Sequence, residues 1–545
     1  MYFFLNSSFN AKNSGIEHAQ LKRAQLFEKF NTDYKLVFRD WNPLLHLYLN
    51  AHGIADQHIL NVFDYFQEAR YVKPKTIHPR DIDFGIAHLT YKKDEQNHRV
   101  LVYNQNTLVG RINVFTEEDT KPNIVKSVEL FDGFSNLYCV DFYDYRGFKS
   151  LSQWYTPDNQ VATQTWYTPA GRPAIENFMR LNGQQKLAES GYKTIDAHGT
   201  VRPHLNKTSL LTEFLEAINL KYFDTKQANI YVLDRGDFFE EILTDLNSPT
   251  YSVLHLHSSQ AGDSQKADTS IMNNNYEYSL TDLNRYDAIV ASTHKQNADV
   301  QARFHHQVDA FTIPVGVLSA RELETTRVPM NKRRPHSMVI TARVSPEKQI
   351  DKIITAMGMA KKQVPDINLN VYGYVDHSNN DAAIKRINAA IKKYDLQDAV
   401  TLHDYTLDVP SVQANAQVYP LASVMEGFNL ALMEAQSNGD VGITFDTNYG
   451  PNELIVDQEN GYVVKYDDTE ALSKKMVELF THDDLLQAMS DKAYELSQRY
   501  SSKQVWQKWQ QLTNRANQVW QDKLKTYRVD ITDGLEDMEH AQEEH

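Results

Sequence analysis

SMVITARVSPEK, Ser337 to Lys348, and QVYPLASVMEGFNLALMEA, Gln417 to Ala435, are the stretches that decide the fold. Each opens on an apolar run of strand length, crosses a short turn and enters helical texture. Apolar runs without alternation, separated by helix-length segments, are strands covered on both faces, hence a parallel sheet. Outward from these, INLNVYG (Ile367–Gly373), AVTLH (Ala399–His403), VGITF (Val441–Phe445) and GYVV (Gly461–Val464) extend the series, which begins after the charged linker RVPMNKRRPH (Arg327–His336). Upstream, ANIYVLD (Ala228–Asp234), YSVLHLH (Tyr251–His257), DAIVAST (Asp287–Thr293) and AFTIPVG (Ala310–Gly316) form an earlier series. It opens at the N-terminus with MYFFL, the loop NSSFNAKNSG, an amphipathic stretch from Ile16 and the strand YKLVF (Tyr34–Phe38). The chain therefore reads as α/β, with two doubly wound, Rossmann-like halves. A helix from about Ser501 to Lys525, with Val505, Trp509, Leu512, Ala516, Val519 and Trp520 on one stripe, closes it.

Between about Thr76 and Leu205 the texture changes to short alternating runs such as RVLVY (Arg99–Tyr103) and LVGRINVF (Leu108–Phe115). Phe142-Tyr143, Trp154-Tyr155 and Trp166-Tyr167 recur every twelve residues, each leading into a turn, with Leu130-Phe131 before and Phe178 after in phase. A strand and a turn at that interval make an antiparallel meander inserted into the first half, with aromatics filling a sheet face. The resulting division is 1–75 with 206–318 as an N-terminal Rossmann-like acceptor domain, 76–205 as the inserted β-meander, 319–500 as a C-terminal Rossmann-like donor-nucleotide domain, 501–525 as the final helix and 526–545 as an acidic, disordered tail.

Composition narrows the functional classes. The 545 residues carry 56 Lys+Arg against 71 Asp+Glu, and seven of the acids fall in the last sixteen positions, Asp530 to His545. That balance argues against a nucleic-acid binder. The single cysteine, Cys139, excludes an internal disulfide framework and a Cys-cluster zinc site, and a reducing, cytoplasmic address follows. The N-terminus has no basic n-region, and no apolar run is long enough to span a bilayer, which leaves peripheral contact at the inner face of the cell membrane open.

Four segments sit where parallel strands end, the place where open α/β sheets bind ligands. Asn13-Ser14-Gly15 precedes the first helix; glycine allows close backbone approach, and helix-start N–H groups suit an anion. His257 ends a buried strand and could hydrogen-bond a sugar hydroxyl, although His255 could equally be the pocket-facing histidine. Arg343 and Lys348 straddle a strand-to-helix turn, and fixed cations there favour a diphosphate leaving group as charge builds on it. Glu426 lies in the next loop, with the backbone N–H groups of Gly427, Phe428, Asn429 and Leu430 facing a ligand and Glu434 pointing back from the helix. Carboxylates accept paired hydrogen bonds from vicinal hydroxyls, so the two acids suit a sugar ring and a ribose.

ITARVSPEK, the run EGFNLALMEA, YGPNELI (Tyr449–Ile455) and NGYVV (Asn460–Val464) resemble retaining glycosyltransferases of the GT-B fold, family four. NSGIEHAQLKRAQLF and the β-rich insertion resemble, more narrowly, the bacterial poly(glycerol-phosphate) alpha-glucosyltransferases of teichoic acid decoration. Close cousins are the GtfA-type protein O-GlcNAc transferases that modify serine-rich adhesins. The resemblance covers about residues 1–525. It implies that Gly15 lies beside the donor diphosphate, His257 touches the transferred sugar, Arg343 and Lys348 neutralise the diphosphate, Glu426 holds the hexose and Glu434 the ribose. It implies no cofactor and no metal, and a front-face displacement in which the leaving phosphate takes the acceptor's proton. Two departures stand out: Asn429 where the family usually has glycine, and Gly439-Asp440-Val441-Gly442 where it usually has a Pro-Val after the glycine.

The leading expectation is transfer of α-glucose from UDP-glucose to poly(glycerol-phosphate) wall teichoic acid. Lys332, Arg333, Arg334, Lys361, Lys362, Lys392 and Lys393 are candidates for the basic groove such a polyanion needs. The alternative is protein O-glycosylation, GlcNAc or glucose onto Ser/Thr-rich chains, with a companion subunit docked on the insertion. A non-catalytic chaperone subunit is a third reading, against which the joint retention of Arg343, Lys348, Glu426 and Glu434 speaks. The insertion is also expected to drive self-association, as a homo-oligomer.

Overall fold

The computed structural model describes residues 1–116, 123–236 and 238–527. All but the first two positions of the expected acidic tail, 526–545, lie outside that set. The chain forms two compact units: Met1–Glu17, Thr32–Ser252 and Val519 onward make the first, His18–Asn31 and Val253–Gln518 the second.

In the first unit four parallel strands lie in the order Ile230–Leu233, Tyr2–Asn6, Tyr34–Phe38, Ile59–Asn61. All five residues of Tyr2–Asn6 and all four of Ile230–Leu233 are buried, the pattern of strands covered on both faces. The same unit holds a ten-stranded sheet running from Thr90–Asp94 to Val201–His204, each strand beside its sequence neighbour. This is the expected antiparallel insertion. Its root is a buried charge network: Arg146 donates to Asp144, to Asp64 Oδ1 (2.8 Å) and to the Ala69 carbonyl (2.7 Å), and His46 Nε2 lies 2.7 Å from Asp64 Oδ2.

The twelve-residue aromatic repeat falls on successive strands, but it does not fill one face. Each twelve-residue step lands three residues past the cross-strand partner of the previous aromatic, an odd offset, so the repeat alternates between faces. Phe142 and Trp166 both stand opposite Leu151, whereas Trp154 stands opposite Cys139 and Thr163, with Phe178 next in that row. Phe142 meets Trp41 and Trp166 meets Phe63, at ring distances of 5.9 and 5.0 Å. Trp154 and Phe178 are 47% and 48% exposed.

In the second unit three parallel strands lie in the order Asp309–Thr312, Ala288–Ala291, Tyr251–His255, the last beginning in the first unit. Two strands are shorter than expected. AFTIPVG pairs only to Thr312, because Pro314 has no N–H to continue the ladder, and YSVLHLH ends at His255. Six further parallel strands follow the order Val400–His403, Asn368–Tyr372, Ser337–Thr341, Val418–Leu421, Val441–Phe445, Gly461–Val464. Met338 and Ile340 pack with Ile353 and Ile354, while Val339 packs with Tyr419 and Leu432. Alternate side chains of one strand thus enter two separate cores, which is why the sequence run is apolar throughout.

The unusual Asp440 has a structural partner in this unit. Arg333 donates to it at 2.7 Å and also to the carbonyls of Val328, Ala416 and Asn438, and both side chains are fully buried. Arg333 is therefore removed from the basic groove proposed on sequence grounds; its guanidinium holds the linker against the sheet. Among the described residues no helix is long and apolar enough to cross a membrane.

Candidate active site

In the six-stranded sheet the strand order reverses between Ser337–Thr341 and Val418–Leu421: the chain adds strands outward on one side, then on the other. Loops leaving the C-terminal ends of those two strands diverge and leave a crevice. Arg343–Lys348 and Ser423–Asn429 are those loops, so the sheet topology alone brings two of the four expected segments together.

They meet directly. Lys348 Nζ donates to Glu426 Oε1 at 2.7 Å, and Ser423 Oγ donates to the same oxygen at 2.7 Å. The Val424 N–H donates to the Glu347 carbonyl at 2.9 Å, joining the loops through their backbones. Arg343 is half-exposed on the same turn, 2.6 Å from Glu347 and 3.9 Å from Asp376. Both cations expected to meet a diphosphate thus rest on carboxylates, Lys348 on Glu426 and Arg343 on Glu347.

Behind Glu426 the YGPNELI segment serves as a backing. Glu426 N–H donates to the Asn448 carbonyl at 3.1 Å, and Tyr449 N–H returns to the Glu426 carbonyl at 2.5 Å. Tyr449 OH accepts from Gln260, and Asn448 donates to the Ser264 carbonyl. Gly427 explains itself by contact: a Cβ there would stand 2.2 Å from the carbonyl oxygen of His257. His257 is therefore seated against the Glu426 loop, and its own N–H donates to Tyr276 OH at 2.9 Å. The two histidines differ in burial. His255 is buried in its strand with Nδ1 3.1 Å from Arg23, and a guanidinium only donates, so that nitrogen accepts. His257, past the strand end, is only partly buried.

The expected Gly-to-Asn departure also has a local reason. Asn429 adopts φ +83°, ψ +81°, and its Oδ1 accepts the Leu432 N–H at 2.8 Å, capping the helix Leu430–Ser437. Asparagine tolerates positive φ better than other side-chain-bearing residues, so it keeps the backbone turn and adds a cap. Helical structure accordingly begins at Leu430. One turn on, Glu434 pairs with Lys22 at 3.0 Å.

Gly15 belongs to the first unit, at the start of the helix Gly15–Lys29. A Cβ there would meet nothing within 4 Å, so packing inside the protein does not require glycine. Ser14 precedes it as the cap: its N–H and hydroxyl both donate to Glu17 Oε2, and Asn6 and Arg235 donate to Glu17 Oε1. Burial would raise the Glu17 pKa, but the Ser14 hydrogen bonds, Arg235 and Asn6 outweigh it and hold the carboxyl below its ordinary value. Sequence reading missed Arg235, Tyr276, Ser423 and Lys22. Of these only Ser423 carried a signal, its place at the end of QVYPLAS.

Residues 325–496 match the family described as glycosyl transferases group 1, and residues 92–187 match the GtfB middle domain. Residues 325–496 thus carry the group 1 glycosyltransferase match, and the fold is GT-B. The chain is 29% identical over 547 residues to a UDP-N-acetylglucosamine–peptide N-acetylglucosaminyltransferase GtfA subunit of Limosilactobacillus reuteri subsp. suis, covering 93% of this chain and 98% of that one. It is 23% identical over 545 residues to the poly(glycerol-phosphate) alpha-glucosyltransferase of Bacillus subtilis, covering 95% of this chain and 75% of that one. Among solved structures it superposes on a GtfA/B complex with a TM-score of 0.78 at 24% identity, covering 95% and 99% of the two chains.

Gly427 offers a direct test of the loop contact. Gly427→Ala is expected to displace the loop from His257 and to lower transfer by about 10²-fold, since ångström-scale misplacement is that costly. Initial-rate measurements check this, and Ala at the neighbouring Val424 serves as the control for a generic loop substitution.

Proposed function

We propose that the protein transfers N-acetylglucosamine from UDP-N-acetylglucosamine to Ser/Thr hydroxyls of an acceptor protein, with retention. The observation that carries the donor half is the Lys348–Glu426 pair at the point where the strand order reverses. As the bond from C1 to the diphosphate oxygen breaks, negative charge grows on that oxygen. Lys348, Arg343 and the N–H groups at the start of the helix Leu430–Ser437 are positioned to stabilise it. Glu426, His257 and the backbone of Gly427 and Phe428 hold the hexose, and Glu434 the ribose. The acceptor hydroxyl attacks C1 on the face the leaving group departs from, and its proton passes to the departing phosphate oxygen. In this reading fixed cations take the place of a metal, so transfer is expected to persist after EDTA treatment.

The acceptor half draws on relatives and on charge. The L. reuteri relative, named for peptide glycosylation, is the more similar of the two and is matched over 98% of its length, against 75% for the other. The formal net charge of −15 and the burial of Arg333 both disfavour a polyanionic acceptor. A second reading, glucose onto poly(glycerol-phosphate), keeps the support of the B. subtilis relative. Supplying labelled UDP-GlcNAc and UDP-Glc with either a Ser-rich polypeptide or poly(glycerol-phosphate) separates the two. Label on the polypeptide from UDP-GlcNAc is expected; label confined to the polymer would reject the proposal in favour of the second reading.

The companion expected from the GtfA/B similarity would seat on the exposed face of the ten-stranded sheet, where Trp154 and Phe178 stand in one cross-strand row. Exposed aromatics in such a row are typical interface anchors. Trp154→Glu with Phe178→Glu is expected to abolish co-purification of a GtfB-type subunit. Loss of a homo-oligomer instead, seen by sedimentation, would assign the face to a second copy of this chain.

A further inference from the structure

Lys22 lies on the helix Gly15–Lys29, within the part of it that belongs to the second unit, among the buried Leu21, Ala24 and Leu26. A lysine so placed is found almost only with partners, because an unpaired ammonium is expensive to desolvate. Its three donors meet three acceptors: Glu434 Oε1 at 3.0 Å, Glu322 Oε1 at 3.4 Å and the Val317 carbonyl at 3.4 Å. Glu322 is itself fixed, since its second oxygen accepts the Ser319 N–H at 2.7 Å and its own N–H donates to Ser319 Oγ. The ammonium is therefore anchored on one side by a capped helix and a carbonyl, and it reaches out to Glu434 on the other. Among the described residues Lys22 is the ion-pair partner of Glu434, whose carboxylate is partly exposed.

We infer that Lys22 is a positioning residue for donor binding, holding the Glu434 carboxylate aimed so that it can accept the two hydroxyls of the nucleotide ribose. This rests on the proposed ribose role of Glu434. Each carboxylate oxygen has room for two hydrogen bonds, so Lys22 on Oε1 leaves that oxygen able to accept a hydroxyl as well. Without Lys22 the two carboxylates that share it would lose their common cation, and Glu434 would be free to turn away. Burial works against the ammonium's charge, but Glu434 and Glu322 prevail and raise its pKa above the ordinary lysine value. Because the ribose is remote from the reacting carbon, the contact is made equally before and during bond breaking, so its loss falls on KM.

The test uses the full chain, UDP as the calorimetric probe and the UDP-sugar for kinetics. Lys22→Met is expected to weaken UDP binding and raise donor KM by about tenfold with kcat changed less than about twofold. Lys22→Arg should restore most of the binding, and Lys22→Met combined with Glu434→Gln should bind UDP no more weakly than Glu434→Gln alone. If Glu434→Gln weakens UDP binding and Lys22→Met does not, this inference fails while the ribose role stands. If Glu434→Gln itself binds UDP as tightly as the parent, the ribose role fails. Should Lys22→Met unfold the chain, Lys22→Arg and Lys22→Gln carry the comparison, and equal UDP affinity in both would overturn the inference.

Discussion

Lys348→Met is expected to reduce kcat for sugar transfer by about 10²–10³-fold, the loss found when one preorganised donor is taken from a developing anion. Lys348 links the two loops that flank the strand-order reversal through its 2.7 Å contact with Glu426. Its removal withdraws positive charge where a diphosphate would gain negative charge, and it leaves the mostly buried Glu426 without its cation. Both changes act on the transition state more than on the bound donor, so donor KM should move far less than kcat. Lys348→Arg retains the charge but replaces a point donor with a planar fork, and an intermediate rate is expected. Rates at saturating UDP-sugar, with release of UDP followed both with and without acceptor, check the prediction. A kcat for Lys348→Met within about threefold of the parent would remove Lys348 from the catalytic groups.

The largest expected effect on stability lies away from the crevice. Asp440→Ala should cost about 3–5 kcal/mol of unfolding free energy, because it strands the Arg333 guanidinium in the interior. The pair is fully buried, and Arg333 Nη2 additionally donates to Tyr494 OH at 3.1 Å. Burial drives the Asp440 carboxyl pKa upward while the Arg333 guanidinium opposes it, so the pair balances desolvation against attraction. Arg333→Met with Asp440→Leu removes both charges together and should recover much of the loss, since an apolar pair of similar volume avoids desolvation altogether. Urea unfolding of the two variants beside the parent checks this. A single Asp440→Ala variant with an unchanged midpoint would show that Arg333 finds its neutralisation elsewhere.

Ser337–Lys348 and Gln417–Ala435 were sufficient to fix the parallel architecture, because a strand buried on both faces must be apolar at every position. The meander was legible for a similar reason: alternation and turns at regular intervals are local properties. Lys348 and Glu426 were recognisable as candidates because their loops follow apolar strands directly. What the sequence could not show was pairing across long separations. Whether Lys348 faces Glu426 depends on the order of strands in the sheet, which no local pattern encodes. The aromatic repeat looked uniform along the chain, yet antiparallel pairing sends Phe142 and Trp166 inward and leaves Trp154 and Phe178 at the surface. Arg333 looked like a surface cation until Asp440, brought beside it only by the fold, drew it into the core. Lys22 was indistinguishable from any helical lysine until the fold set two glutamates within reach of its ammonium. Local periodicity and strand-end position are written in neighbouring residues, whereas charge partners are chosen by packing.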